Sequence, residues 1–312
     1  MKATYNLPEL FKAARPQTKD ITRNSYYYQL RKIAPEKEQK KLGMGVSTNP
    51  VSLEWIKDAK ATIKRIKLIT VNTQRAALSP ILIIVKHLEW GTNLYDQYNS
   101  HLQNLTAARN ALEAKHVKTD TQQKNWVSSD ELREYVTKLT PRGGTILQRE
   151  LWRRYMIVGK LYVLQPPVRH DYNAMLLATD GDELDRNENY LVFDPTIDKP
   201  AYFSFGKYKT ATEESEPVKV KCRVKMADEL LCWLGERRTG YMLEDAGEPL
   251  SKSQLGFALS KCFAGIGKHI TSNLIRHIVC SEAVDISHSV KLSHLQNDMM
   301  HGAALQLKYA KE

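Results

Sequence analysis

Between residues 174 and 224 the chain departs from the helical periodicity that governs most of its length, and this interruption most limits how it can fold. Residues 174–178, 190–193, 201–205 and 218–224 are short apolar and aromatic stretches, separated by turn residues such as Asp180, Gly181, Asp194 and Pro195. They predict a small antiparallel sheet. Helix-opening signals stand on both sides, because Ser128 with Glu131, Thr145 with Gln148, and Ser251 with Gln254 each have capping-box spacing. A short sheet set among helices predicts a mainly α chain of the α+β class.

Upstream the pattern is helical. From Pro50, residues Trp55, Ile56, Ala59, Ile63 and Ile66 share one face, with Lys57, Lys60, Lys64 and Lys67 elsewhere. A second helix is expected from about Ser79, with Pro80 in its first turn and an apolar run at 81–85. A third carries Leu94, Tyr98, Leu102, Leu105 and Leu112 at three- and four-residue spacing. Residues 46–114 should therefore form a small helical bundle. Residues 1–45 are polar, with the run Tyr26, Tyr27 and Tyr28 and the cluster Lys37, Lys40 and Lys41. They read as a basic arm or short appended helices, and equally as a solvated tail. Residues 115–127 include KHVKTDTQQK, which has no apolar periodicity and reads as a linker to a second domain at 128–312.

At 312 residues and 42% hydrophobic content, the chain can build a core in each of two domains. No apolar run approaches the roughly 20 residues needed to span a bilayer, and the start lacks an uninterrupted apolar stretch, so an intracellular protein without a membrane partner is expected. Cys222, Cys232, Cys262 and Cys280 form no Cys-x-x-Cys pair, and no carboxylate or Cys/His set has metal-ligand spacing. The net charge of +11 is unevenly placed. Residues 1–128 hold 21 Lys+Arg against 10 Asp+Glu, and residues 129–312 hold 25 of each. Such an excess suits a phosphate-binding surface, since each neutralised phosphate releases counterions. Membrane surfaces attract the same charge, and it also serves solubility. Lys57, Lys60, Lys64, Lys67 and Arg75 are the candidate phosphate contacts.

Five candidate residues lie in four segments of the second domain. PPVRHDYNAMLL places Arg169 between a helix and a strand; FSFGKYKTA places Lys209 at a strand turn. TSNLIRHIVCSE carries Arg276, and MMHGAALQLKYAK carries His301 with Tyr309 eight residues on. In this order, with 107 residues from Arg169 to Arg276 and 33 from Arg276 to Tyr309, the set resembles the catalytic domain of tyrosine recombinases, the phage and viral integrase family. The short Arg-x-Asp-Tyr and Lys-Thr motifs are similar to those of integrases from virophages and large DNA viruses. Residues 46–114 resemble the family's core-binding domain.

The resemblance implies cleavage and rejoining of double-stranded DNA through a 3′-phosphotyrosine, without metal, ATP or other cofactor. Several protomers, as a tetramer, would assemble on paired sites. Tyr309 would be the nucleophile. Arg169 and Arg276 would hold the nonbridging phosphate oxygens by charge-assisted hydrogen bonds. His301 would donate to the same phosphate or help remove the tyrosine proton, and Lys209 would protonate the leaving 5′ oxygen.

There are departures. Asn273 stands three residues before Arg276, where the family has His or Lys, and an amide can donate a hydrogen bond but cannot move a proton. Gly302 replaces a common serine, and three residues follow Tyr309. A type IB topoisomerase shares this chemistry, and a non-catalytic DNA-binding protein with a degenerate domain remains compatible with Asn273. Tyr172, three residues after Arg169, is expected to face the core or brace the arginine.

Overall fold

The computed structural model describes residues 3–208, 211, 215–285 and 299. Lys209, His301 and Tyr309 lie outside the described residues. The chain divides into two compact units, Met1–Lys115 and His116–Glu312.

The first unit is a bundle in which β1 (Thr4–Tyr5) pairs antiparallel with β2 (Val51–Ser52) around α1 (Leu7–Ala14), α2 (Asp20–Ile33) and α3 (Glu36–Leu42). A 3-10 turn at Glu54–Ile56 leads to α4 (Ala59–Ile66), α5 (Val71–His87) and α6 (Thr92–Glu113). Of the readings of residues 1–45, the short appended helices hold for the described residues 3–45 and the solvated tail does not. Leu7, Leu10 and Phe11 of α1 and Tyr27, Leu30 and Ile33 of α2 recur at helical spacing and are buried in one core with Ile56, Ile81 and Ile84. The lysines and arginines between them occupy the outer faces, which hides the apolar stripe in a window average. Tyr27 donates its hydroxyl to the Leu42 carbonyl and Tyr98 donates to the Ile56 carbonyl at 2.6 Å, so neither buried phenol lacks a partner.

The expected helix start at Ser79 is also corrected. α5 begins at Val71 and carries Pro80 in its interior. The proline removes one backbone donor, but its ring is buried, and packing of Ala77, Leu78, Ile81 and Ile84 outweighs the lost bond.

The second unit opens earlier than expected. Within the supposed linker Thr119 and Gln122 form a reciprocal capping box that starts α7 (Asp120–Asn125). Trp126 then packs against the core. All three capping boxes read from the sequence are present, at the starts of α8 (Ser129–Lys138), α9 (Ile146–Leu164) and, later, α11 (Lys252–Cys262).

Between α9 and α11 lies a sheet of β3 (Leu176–Thr179), β4 (Asn189–Asp194), β5 (Lys199–Phe205) and β6 (Val218–Lys221), in that spatial order. Three strands are antiparallel as expected, but β3 joins β4 in parallel, which makes the sheet mixed. The fold is mainly α with a small sheet, in the α+β class. The last expected strand is shorter than predicted, since α10 (Val224–Leu234) begins at Val224. A two-stranded ribbon, β7 (Glu244–Asp245) with β8 (Glu248–Pro249), precedes α11, and α12 (Ser272–Asp285) closes the described unit apart from Met299. Among the described residues no helix is long and apolar enough to cross a membrane.

α9 and α11 meet at Gly159, where an added Cβ would overlap Cys262 Sγ. Gly159→Ala should therefore destabilise the second unit by about 1–3 kcal/mol. Cys262→Ala in the same chain should recover part of that loss in denaturant unfolding, and purely additive losses would show that the overlap is not the cause.

Candidate active site

Pro166 and Pro167 end α9, since neither has a backbone N–H to continue it. The turn at 166–173 that follows is held from below by two phenols. Tyr162 of α9 donates to the Arg169 carbonyl, and Tyr172 donates to the Pro166 carbonyl at 3.2 Å. Their rings meet edge to face with centroids 5.7 Å apart, and Tyr172 also packs on Phe203 and Phe205 of β5. Tyr172 thus faces the core, as the sequence suggests. Burial raises the Tyr162 phenol well above its ordinary range, keeping it a neutral donor.

The start of α12 meets this turn. Thr271 caps the helix, its hydroxyl accepting from Leu274 N at 3.1 Å. One turn on, Arg276 is only 2% exposed, and its Nη1 donates to the Pro167 carbonyl at 2.9 Å. Glu282 fixes the other end of α12, accepting from Ser129 N at 2.8 Å and from the Ser129 hydroxyl at the start of α8. Arg169 is half-buried in the turn, and its guanidinium makes no hydrogen bond among the described residues. Asn273 is exposed in the first turn of α12.

Three participants escaped sequence reading. Asp171 is 7% exposed; burial raises its carboxyl above the ordinary range against the opposing pull of Lys252, Arg276, Arg169 and His170. It is the acid common to both candidate arginines. His170 Nε2 lies 3.0 Å from Ser272 Oγ, tying the turn to α12. Asn189, also buried, donates through Nδ2 to the Asp171 carbonyl at 3.0 Å and the Lys207 carbonyl at 3.1 Å, and accepts from Lys207 N at 2.8 Å. One amide thereby joins the Arg169 turn to the end of β5, two residues before Lys209. The Arg-x-Asp-Tyr order marked Asp171 in the sequence, but nothing local marked Asn189. Gly206 is required beside it, because a Cβ there would collide with the Arg186 and Glu188 carbonyls.

In the first unit the five candidate cations divide. Lys57 pairs with Glu54 at 2.9 Å and lies 5.0 Å over the Trp90 ring, while Arg75 Nε donates to Thr106 Oγ1 at 3.2 Å. Lys60, Lys64 and Lys67 are exposed at helical spacing, on the face of α4 opposite the buried Ala59, Thr62 and Ile66. Among the described residues no group of three or more His, Cys, Asp or Glu is placed to hold a metal ion. Cys222, Cys262 and Cys280 are buried and Cys232 is exposed; burial pushes the three buried thiols up to about 12.

Asn189→Ala would remove the amide that pairs with the Lys207 N–H and with the Asp171 and Lys207 carbonyls, the Asp171 one in a buried contact. A stability loss of about 1–3 kcal/mol in denaturant unfolding is expected, and an unchanged midpoint would show that water replaces the amide.

No family model matches the chain. No curated protein matches it. Among solved structures the chain is similar to one titled as the crystal structure of XerA recombinase, at 11% sequence identity and a TM-score of 0.40, covering 97% of this chain and 91% of that one.

Proposed function

We propose that this chain is a site-specific DNA recombinase that cleaves and rejoins duplex DNA through a 3′-phosphotyrosine on Tyr309, in the manner of viral integrases. The observation that carries the reading is the convergence of Arg169 and Arg276, 107 residues apart in sequence, on one turn and one buried carboxylate, Asp171. An arginine carried by this turn and another donating to it suit a phosphate whose nonbridging oxygens gain charge during displacement. The Asn189 joint adds the strand end that leads to Lys209. Met299, two residues before His301, is buried on Cys280 of α12, one turn beyond Arg276.

In this mechanism Tyr309 attacks the phosphorus, the bond to the 5′ oxygen breaks, and Lys209 gives that oxygen its proton. His301 assists at the phosphate or takes the tyrosine proton, and Asn273 is at most a neutral donor. The phosphotyrosine conserves the energy of the broken bond, so a 5′ hydroxyl of another strand can reverse the attack with no cofactor. Exchange requires two duplexes, hence several protomers, four for a paired site, in the compartment where the DNA lies. The first unit would act as the core-binding domain.

A nicked suicide duplex tests the chemistry. Wild type should give a detergent-resistant protein–DNA adduct and Tyr309→Phe none; Arg169→Ala, at a half-exposed position, should lose on the order of 10²-fold in cleavage rate. Full adduct from the phenylalanine variant would assign the attack elsewhere. Exchange between two marked sites, as against relaxation of a plasmid lacking a site, separates recombinase from topoisomerase.

The exposed stripe on α4 predicts how affinity responds to salt. Replacing Lys60, Lys64 and Lys67 together with alanine should flatten the dependence of log affinity on log salt by about two to three units, at roughly 0.9 for each phosphate no longer neutralised. Adding Lys57→Ala should change little, because that lysine is already paired within the bundle. A slope unchanged in the triple variant would move the DNA-binding face elsewhere.

A further inference from the structure

The turn at 166–173 holds an imidazole that the mechanism above does not use. His170 follows Arg169 and is half-buried, with Nε2 fixed 3.0 Å from Ser272 Oγ at the start of α12. Ser272 and Arg276 are four residues apart, so they lie on the same face of that helix. On the other side is Gly256 of α11, where a Cβ would lie 3.9 Å from both Cε1 and Nε2, an ordinary contact, so the ring packs beside this helix. The charged groups facing the imidazole are Lys252, at the start of α11, and Asp171 from its own turn, and Arg169 and Arg276 face the same Asp171. Burial and the Lys252 charge both hold the ring below its ordinary range, against Asp171, so it is neutral at pH 7. A ring serving only to tie the turn to α12 would gain from full burial. This one stays half-exposed, and among the described residues nothing hydrogen-bonds its Nδ1.

We propose that His170 is a further phosphate contact of the candidate active site, donating from Nδ1–H to a nonbridging oxygen of the scissile phosphate beside Arg169, with Ser272 as the positioning residue that holds its ring. The inference rests on the recombinase reading. With the Ser272 hydroxyl donating to Nε2, the neutral ring keeps its proton on Nδ1, which sets one donor and one tautomer. Asn273 next door is exposed, and His170 would add a second neutral donor at the start of α12, from the adjoining turn.

The test is single-turnover cleavage of the nicked suicide duplex carrying either the ordinary scissile phosphate or each phosphorothioate isomer, in which sulfur, a poor hydrogen-bond acceptor, replaces one nonbridging oxygen. His170→Ala should lose on the order of 10²-fold on the ordinary phosphate and clearly less on one isomer, because the contacted oxygen is already gone there. Ser272→Ala should show the same pattern at smaller size, Ser272→Thr should restore it, and Ser272→Ala should add nothing to His170→Ala. His170→Gln, which keeps a donor and an acceptor, is measured in parallel should the alanine variant melt early. Equal losses on phosphate and both isomers, or no loss at all, would make His170 a tether and overturn the inference while leaving the recombinase reading intact. No adduct from wild type would remove both.

Discussion

A guanidinium that is 2% exposed cannot be left to water, and the second unit is arranged around that demand at Arg276. Removing a charge from solvent costs several kcal/mol unless hydrogen bonds and opposite charge surround it. The Pro167 carbonyl supplies a hydrogen bond, and the buried Asp171 carboxyl lies within electrostatic reach. Both belong to one turn, and that turn is available because two prolines end α9 and two tyrosine hydroxyls fix the carbonyls that follow. Moving the turn would strand the arginine, so burial of Arg276 makes the position of Arg169 part of the folding problem. Arg276 is thus held by contacts internal to the unit, through a turn that also carries Arg169.

The sheet contributes through edges and turns more than through its faces. β5 places Phe203 and Phe205 under Tyr172, and its end is joined to the arginine turn by Asn189. Three hydrogen bonds from one side chain hold two segments that would otherwise have independent mobility. The opposite end of α12 is held by Glu282 on the start of α8, so the helix carrying Arg276 is fixed at both ends by polar contacts across the core.

The first unit solves a different problem, which is to carry a large positive charge on a stable bundle. Its helices confine apolar residues to narrow inner stripes, and several cations are used internally. Arg65 donates to the Ile33 carbonyl at 3.1 Å and lies 5.3 Å from the Trp55 ring, and Lys57 lies over Trp90. Long basic side chains thereby cover apolar surface while their charged ends stay solvated or paired.

Local signals were legible wherever a few neighbouring residues decide the outcome. The capping boxes at Ser128, Thr145 and Ser251, the strands near Tyr190 and Phe203, and the periodicity of α6 follow from backbone groups satisfied within a single turn or strand. Arg169 and Arg276 could be singled out by their order, and the structure brings Arg276 onto the turn that carries Arg169; Lys209, His301 and Tyr309 lie outside the described residues. Four features could not: the choice of packed helices over a solvated tail for residues 3–45, the helix that runs through Pro80, the parallel pairing of β3, and the contacts of His170 and Asn189. Each depends on a partner distant in sequence. A charged segment folds when its sparse apolar residues meet a core built elsewhere, and an interior proline is tolerated when packing exceeds one lost hydrogen bond. The sequence by itself determined which segments would be helix or strand and which side chains had the chemistry to hold a phosphate; tertiary structure decided which of those side chains meet, because burial and hydrogen bonding between distant segments are properties of the packed chain alone.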